Sequence, residues 1–309
     1  MTRKAVLLMG PTASGKTDLA ISLCKRFPCD IISVDSAMVY RGMDIGTAKP
    51  DAETLRRTPH QLIDIRDPEE SYSAGDFVRD ARAAIETSFE SGRIPLLAGG
   101  TMMYFRALTE GIAELPAANA DIRVQIDKEA GEKGWPAMHA ELEQVDPVVA
   151  ARLNPNDSQR IQRALEVFRI SGKPLSEWQR DADLDTGDIE FVKIGLNIEP
   201  RELLHARIEQ RLDLMIASGF EDEMLTLRAR PNLSKDSSAM RSVGYRQFWK
   251  YLDGEYSQQE ARDRALFATR QLAKRQLTWM RSENDLFCVD PLEAQAIDTI
   301  SAHLAGKPG

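Results

Sequence analysis

Eight residues near the start of the chain constrain its fold more than any others. Gly10-Pro11-Thr12-Ala13-Ser14-Gly15-Lys16-Thr17 fits G-x-x-x-x-G-K-[ST], a loop that works only between a strand and a helix. Both flanks are present. Lys4 to Gly10 (KAVLLMG) is an apolar run that reads as a buried strand, and Lys16 to Phe27 has helical spacing with Leu19, Ala20 and Leu23 on one side. The glycines let successive backbone N–H groups converge on phosphate oxygens, the helix N-terminus adds partial positive charge and Lys16 adds a full one. The Thr17 hydroxyl is placed to hold Mg²⁺. A ligand with a diphosphate or longer group follows.

Downstream the pattern repeats as strand and helix in alternation. Asp30 to Ser36 (DIISVDS), Gln61 to Arg66 (QLIDIR) and Arg93 to Gly100 (RIPLLAGG) read as strands, with a helix from near Ser73 past Ile85. That alternation predicts a parallel sheet with helices on its faces. From about Pro116 to Gly187 the chain is polar, helix-forming and without a convincing β run, so 116–187 is expected to be a helical insertion between core segments 1–115 and 188–309. Glu190 to Ile198 restores a strand, Arg201 to Leu227 and Gln258 to Arg281 are long helical stretches, and Leu286 to Val289 precedes a closing helix. At 309 residues with 42% apolar and 28% charged composition, the chain has enough material for a real core, and collagen-like or disordered readings are excluded.

Net charge is −8, so a polyanion would have to meet a local basic patch. Cys24, Cys29 and Cys288 are too few for a disulfide framework. With His60, His139, His205 and His303 they form no metal-ligand spacing, and a cytoplasmic location is expected. No apolar stretch reaches membrane-spanning length, and nothing marks a dimer surface, so a monomer is expected.

The loop alone is shared by nucleotide triphosphatases, small-molecule kinases and other diphosphate users. After the strand holding Leu96 and Leu97, where a triphosphatase usually carries an Mg²⁺-binding aspartate, this chain has Ala98-Gly99-Gly100-Thr101. The acid that does end a strand is Asp35, at the carboxyl edge where open α/β sheets bind ligands. It could hold Mg²⁺, abstract a proton, or serve only as a turn residue. A P-loop kinase would consume ATP and ignore RNA; a non-catalytic RNA-binding switch would tolerate Asp35→Asn.

Six ordered segments narrow the choice: GPTASGKT at 10–17, DSAMVYRGMDIGTAKP at 35–50, GGTMMYFRAL at 99–108, NDSQRIQRALEV at 156–167, RSVGYRQFW at 241–249 and KRQLTWMR at 274–281. Together they resemble the bacterial tRNA dimethylallyltransferase (tRNA isopentenyltransferase) family, from about Lys4 to about Asp290. The resemblance implies a P-loop NTPase-like α/β core with a helical insertion domain that grips tRNA. It also implies transfer of a dimethylallyl group from dimethylallyl diphosphate to the exocyclic amine of the adenosine 3′ of the anticodon, with Mg²⁺ as cofactor. On that basis Asp35 is the general base, Thr101 lies near the reactive amine, Gly10, Pro11, Thr12, Ala13, Ser14, Gly15, Lys16 and Thr17 hold the diphosphate, and Thr17 binds the metal. Arg211, with Arg207 one turn earlier as the other choice, is expected to reach the diphosphate.

The resemblance assigns the tRNA anticodon stem-loop to Asp35, Ser36, Ala37, Met38, Thr101 and Arg123, to Gln159, Arg160, Ile161, Gln162 and Arg163, and to Arg241, Ser242, Val243, Gly244, Tyr245 and Arg246. It adds Lys274, Arg275, Gln276, Leu277, Thr278, Trp279, Met280 and Arg281. The residues support this independently. Between Glu260 and Arg281 stand six basic and two acidic side chains, a local charge of +4, with Arg270, Lys274 and Arg281 in one narrow arc and Ala265, Leu272, Trp279 and Met280 nearly opposite. Asn156, Asp157 and Ser158 are N-cap types before Gln159 to Arg163. Leu153-Asn154 and Ser158 depart from the family's usual Ile-His and proline. The four tryptophans read as packing residues, Cys24 and Cys29 as idle thiols, and Met102 and Met103 as candidates to line a prenyl pocket.

Overall fold

A computed structural model describes residues 3–113, 115–180 and 188–306. The chain divides into two units, Met1–Thr109 with Gly187–Gly309, and Glu110–Thr186.

The first unit is built on a six-stranded sheet. In chain order its elements begin β1 (Arg3–Met9), α1 (Lys16–Cys24), β2 (Cys29–Val34), α2 (Ala52–Arg57), β3 (His60–Gln61), α3 (Ala74–Glu90), β4 (Ile94–Gly99) and α4 (Met102–Glu110). The second unit holds α5 (Ala120–Lys133), α6 (Trp135–Val145), α7 (Pro147–Ala150), α8 (Ser158–Ser171) and α9 (Leu175–Arg180). The first unit then resumes with β5 (Ile189–Leu196), α10 (Arg201–Ala217), α11 (Phe220–Arg228), α12 (Tyr245–Leu252), α13 (Gln258–Met280), β6 (Phe287–Val289) and α14 (Ala296–Leu304).

Strand order is β3-β2-β4-β1-β5-β6 and every pair is parallel. Such a sheet is covered on both faces, which is why β1 and β4 read as continuous apolar runs rather than alternating ones. Ala5, Leu7 and Met9 pack on one face with Phe77, Ile85 and Phe105; Val6 and Leu8 pack on the other with Leu19, Leu23 and Ile300. Each of these side chains larger than Ala5 contributes about 1.5–3 kcal/mol by leaving water. Helix α3 starts where expected because Ser73 and Asp76 satisfy each other's backbone amides in a capping box. At Gly99 a Cβ would lie 2.0 Å from the Val34 carbonyl oxygen, so only glycine lets β4 leave the sheet beside β2 at this height.

Two expectations are corrected. Gln61–Arg66 is not a strand throughout: β3 ends at Gln61, and Asp64, Ile65 and Arg66 donate to the Met38 and Val39 carbonyls instead of to the sheet. Leu62 and Asp64 carry positive φ, and Lys49 draws the Asp64 carboxylate at 2.6 Å. The stretch Arg201–Leu227 is two helices, broken at Ser218 and Gly219, where Gly219 takes φ 97°.

The second unit has its own apolar core of Ile126, Met138, Leu142, Ile161 and Leu165. Within it Glu166, fully buried, receives Arg123 at 2.8 Å, Arg163 at 2.7 Å and the Asn119 N–H at 2.8 Å. Burial favours the neutral acid there, but these donors outweigh it and hold the carboxyl below its ordinary range.

Candidate active site

Where β1 ends, the loop Gly10–Gly15 turns into α1, with Ala13 at φ 63° and Gly15 at φ 87°. Left-handed backbone at Gly15 points successive amides inward, and only glycine adopts it without strain. Lys16 folds back so that Nζ donates to the Pro11 carbonyl at 2.7 Å. Burial first, and then the Arg211 guanidinium, pull its pKa down to about 7; Asp35 opposes them. Arg211 donates to the Thr47 carbonyl at 3.3 Å, and burial lowers its pKa as well. Arg207 Nε donates to the Ala13 carbonyl at 2.9 Å. Among the described residues none of these three cations has a carboxylate within ion-pair distance. The Ser14 hydroxyl is fully buried with no hydrogen-bond partner among the described residues.

Asp35 follows β2. Its Oδ1 accepts the Ala37 N–H at 2.8 Å and the Met38 N–H at 3.2 Å, so the turn reading holds for that oxygen, while Oδ2 takes no hydrogen bond from the described residues. Thr101 follows β4 and its Oγ1 accepts the Ser36 N–H at 3.1 Å. Thr12–Thr17 of the cradle, Asp35, Thr101, Arg207 and Arg211 all line one cavity of about 770 Å³, together with Met102, Met103 and the Arg241–Tyr245 turn.

The loop after β2 is fixed from behind. Glu223 on α11 accepts the N–H groups of Asp44, Ile45 and Gly46 and the Tyr245 hydroxyl at 2.6 Å, so Tyr245 is a buried brace. Helix α13 divides less simply than its sequence arc implied. Lys274, Arg275, Thr278 and Arg281 are exposed; Arg270 is paired with Glu209 at 2.9 Å; Leu277 and Met280 are core; Trp279 lies on the cavity wall under Arg106. Gln276 is buried and reaches the cradle.

In the second unit Asp157 caps α8 by accepting the Arg160 N–H. Gln159 and Arg160 are exposed, Ile161 is core, Gln162 donates to Asp127, and Arg123 and Arg163 are occupied by Glu166. Among the described residues there is no group of three or more His, Cys, Asp or Glu able to hold a metal, and no helix long and apolar enough to cross a membrane.

Residues 38–283 match the family model described as IPP transferase. The chain belongs to the IPP transferase family. It is 51% identical over 307 residues to tRNA dimethylallyltransferase 2 of Hahella chejuensis, covering 95% of this chain and 92% of the relative. Among solved structures it is similar to the full-length tRNA isopentenylpyrophosphate transferase of Bacillus halodurans, with TM-score 0.72, 37% identity and coverage of 99% and 96%. It is also similar to the tRNA Δ2-isopentenylpyrophosphate transferase of Staphylococcus epidermidis, with TM-score 0.70, 32% identity and coverage of 98% and 99%. A eukaryotic dimethylallyltransferase described as acting on tRNA shares the fold at TM-score 0.81 and 24% identity, covering 99% of this chain and 80% of that one. The cradle contact of Gln276 is not evident from the sequence. The buried helical stripe Ala273, Gln276, Leu277 and Met280 was the signal available.

Proposed function

We propose that the chain transfers a dimethylallyl group from dimethylallyl diphosphate to the exocyclic amine of the adenosine 3′ of the anticodon in tRNA, in the cytoplasm, and releases diphosphate. The observation that carries this reading is a single cavity lined at once by unpaired buried cations around a phosphate loop and by a strand-end carboxylate, Asp35. The carbon–oxygen bond to diphosphate breaks and its electron pair leaves with the diphosphate. The new bond joins that carbon to the adenine nitrogen, whose proton passes to Asp35 Oδ2. Loop amides, Lys16, Arg207 and Arg211 stabilise the charge developing on the leaving group, and Asp35 raises the rate by about 10²–10⁴-fold as base.

The donor set fits Mg²⁺ in one way: the Thr17 hydroxyl and diphosphate oxygens, with no carboxylate cage, and the orphaned Ser14 hydroxyl available to a phosphate oxygen. Bound there, the ion would neutralise part of the leaving group's charge. Met102 and Met103 offer apolar wall to the prenyl chain. Lys274, Arg275, Thr278 and Arg281 would meet RNA phosphates, as would Gln159 and Arg160; the adenine must be unstacked to enter the cavity.

The test is incubation of the purified protein with Mg²⁺, dimethylallyl diphosphate and unmodified tRNA, followed by mass spectrometry of the nucleosides. One prenylated adenosine per tRNA with stoichiometric diphosphate is the expected outcome. Unchanged nucleosides beside an active control would overturn the reading.

A further inference from the structure

We propose that Gln276 is a positioning residue that sets the gap between the diphosphate cradle and the turn carrying Thr101 and Asp35. The inference rests on the functional reading above and deepens it.

Gln276 sits on α13 with 7% of its surface exposed. Its Oε1 accepts the Thr12 N–H at 2.9 Å and its Nε2 donates to the Gly100 carbonyl at 2.8 Å. A backbone N–H can only donate and a carbonyl can only accept, so the orientation of the amide is fixed by its two partners. Each partner adjoins the chemistry. Thr12 belongs to the loop that would hold the leaving group; Gly100 precedes Thr101, which accepts the Ser36 N–H beside Asp35. The two loops leave neighbouring strands, and the β1–β4 register ends at Met9 opposite Gly99. Beyond that pair the Gln276 carboxamide bridges Gly100, one residue after Gly99, and Thr12, three residues after Met9. It comes so close that a Cβ on Gly100 would lie 2.4 Å from Nε2.

In-line transfer depends on the spacing between the leaving oxygen, the migrating carbon and the nucleophile, and a misplacement of about 1 Å can cost about 10²-fold. The Gln276 carboxamide borders the cavity, but its Oε1 and Nε2 are engaged by the Thr12 N–H and the Gly100 carbonyl rather than left to touch a substrate. It holds the two loops that do, and it does so from the helix whose next turns expose Lys274, Thr278 and Arg281.

The experiment compares Gln276→Met and Gln276→Glu with the parent, all full length, using dimethylallyl diphosphate and tRNA. For Gln276→Met the expected result is kcat about 10²-fold lower, with KM for both substrates and inorganic diphosphate binding within about threefold of the parent. Gln276→Glu keeps the shape and the acceptor for Thr12, but its ionised form faces the Gly100 carbonyl without a proton. Protonation restores the donor, so its rate relative to the parent at the same pH climbs as pH falls from 8.5 to 6, while the Gln276→Met ratio stays flat. Should Gln276→Met fail to fold, the isosteric glutamate carries the test through this ratio. Parent-like kcat in a folded variant, a loss confined to KM, or a flat Gln276→Glu ratio would overturn the inference alone. A parent that prenylates no tRNA would remove the functional reading and this inference with it.

Discussion

The cradle and the core of the second unit both bury charge, and they treat it oppositely. Glu166 is closed off by two arginines and an amide, so every acceptor it has is used inside the fold. Among the described residues Lys16 and Arg211 hydrogen-bond single carbonyls, Pro11 and Thr47, and the Asp35 charge favours their protonated forms without forming an ion pair. Burying a charge without a counter-charge is costly, and the cost shows as the fall of Lys16 to about 7. A paired buried charge therefore organises structure, whereas an unpaired one waits for a ligand of opposite sign.

The sharpest way to break this contrast is Lys16→Met. Turnover should fall about 10³-fold through the lost leaving-group stabilisation, and inorganic diphosphate should no longer raise the melting temperature. Without ligand the variant should melt about 2–5 °C higher than the parent, because an uncompensated buried cation has been removed. A lower melting point, measured calorimetrically, would mean that Lys16 holds the empty fold together after all.

The complementary change is Glu166→Gln. It should lower stability by about 2 kcal/mol, since two arginines lose their carboxylate and a buried amide is left imperfectly paired, while diphosphate affinity stays within twofold. Urea unfolding with and without diphosphate would expose any coupling that the contrast denies.

A third effect is smaller and depends on pH. Below pH 7 Lys16 is already protonated in the empty protein and binding needs no extra proton. Above pH 7 the free lysine is neutral, and diphosphate must draw a proton onto it. The affinity advantage of the parent over Lys16→Met should then shrink by up to about tenfold per pH unit above 7. Titration calorimetry between pH 6.5 and 9 measures it, and a constant ratio would argue against a lowered lysine.

Smallest are the surface cations. Lys274→Ala and Arg281→Ala should each weaken tRNA binding a few-fold and reduce the salt slope by about 0.7–1, leaving diphosphate binding alone. Filter binding at several salt concentrations distinguishes this from a folding defect.

Much of the core was legible because its constraints are local. The glycine loop has one workable backbone path, and strands covered on both faces appear as unbroken apolar runs such as Ala5–Met9 and Leu96–Leu97. Leu62–Arg66 misled because its alternation is that of a strand, while its hydrogen bonds go to Met38 and Val39, a tertiary choice that periodicity does not carry. Gly219, at φ 97°, divides what reads as one helical stretch from Arg201 to Leu227. In the site, Asp35 is marked by its position at a strand end, whereas Thr101, Arg207 and Arg211 are assigned by the family resemblance, and all four line the one cavity. The family resemblance groups Gln276 with its cationic neighbours as RNA-facing, whereas its hydrogen-bond partners, Thr12 and Gly100, lie over 170 positions away in sequence. Arg123 and Arg163 likewise look free until the fold brings Glu166 between them.

Asp35→Asn under single-turnover conditions addresses the central claim most directly. With tRNA and dimethylallyl diphosphate saturating, both should bind within about twofold of the parent while prenylated adenosine forms about 10³-fold more slowly, the neutral amide being unable to take the proton. Product formed at the parental rate would contradict the assignment of Asp35, and with it the reason for placing an acid opposite the cradle.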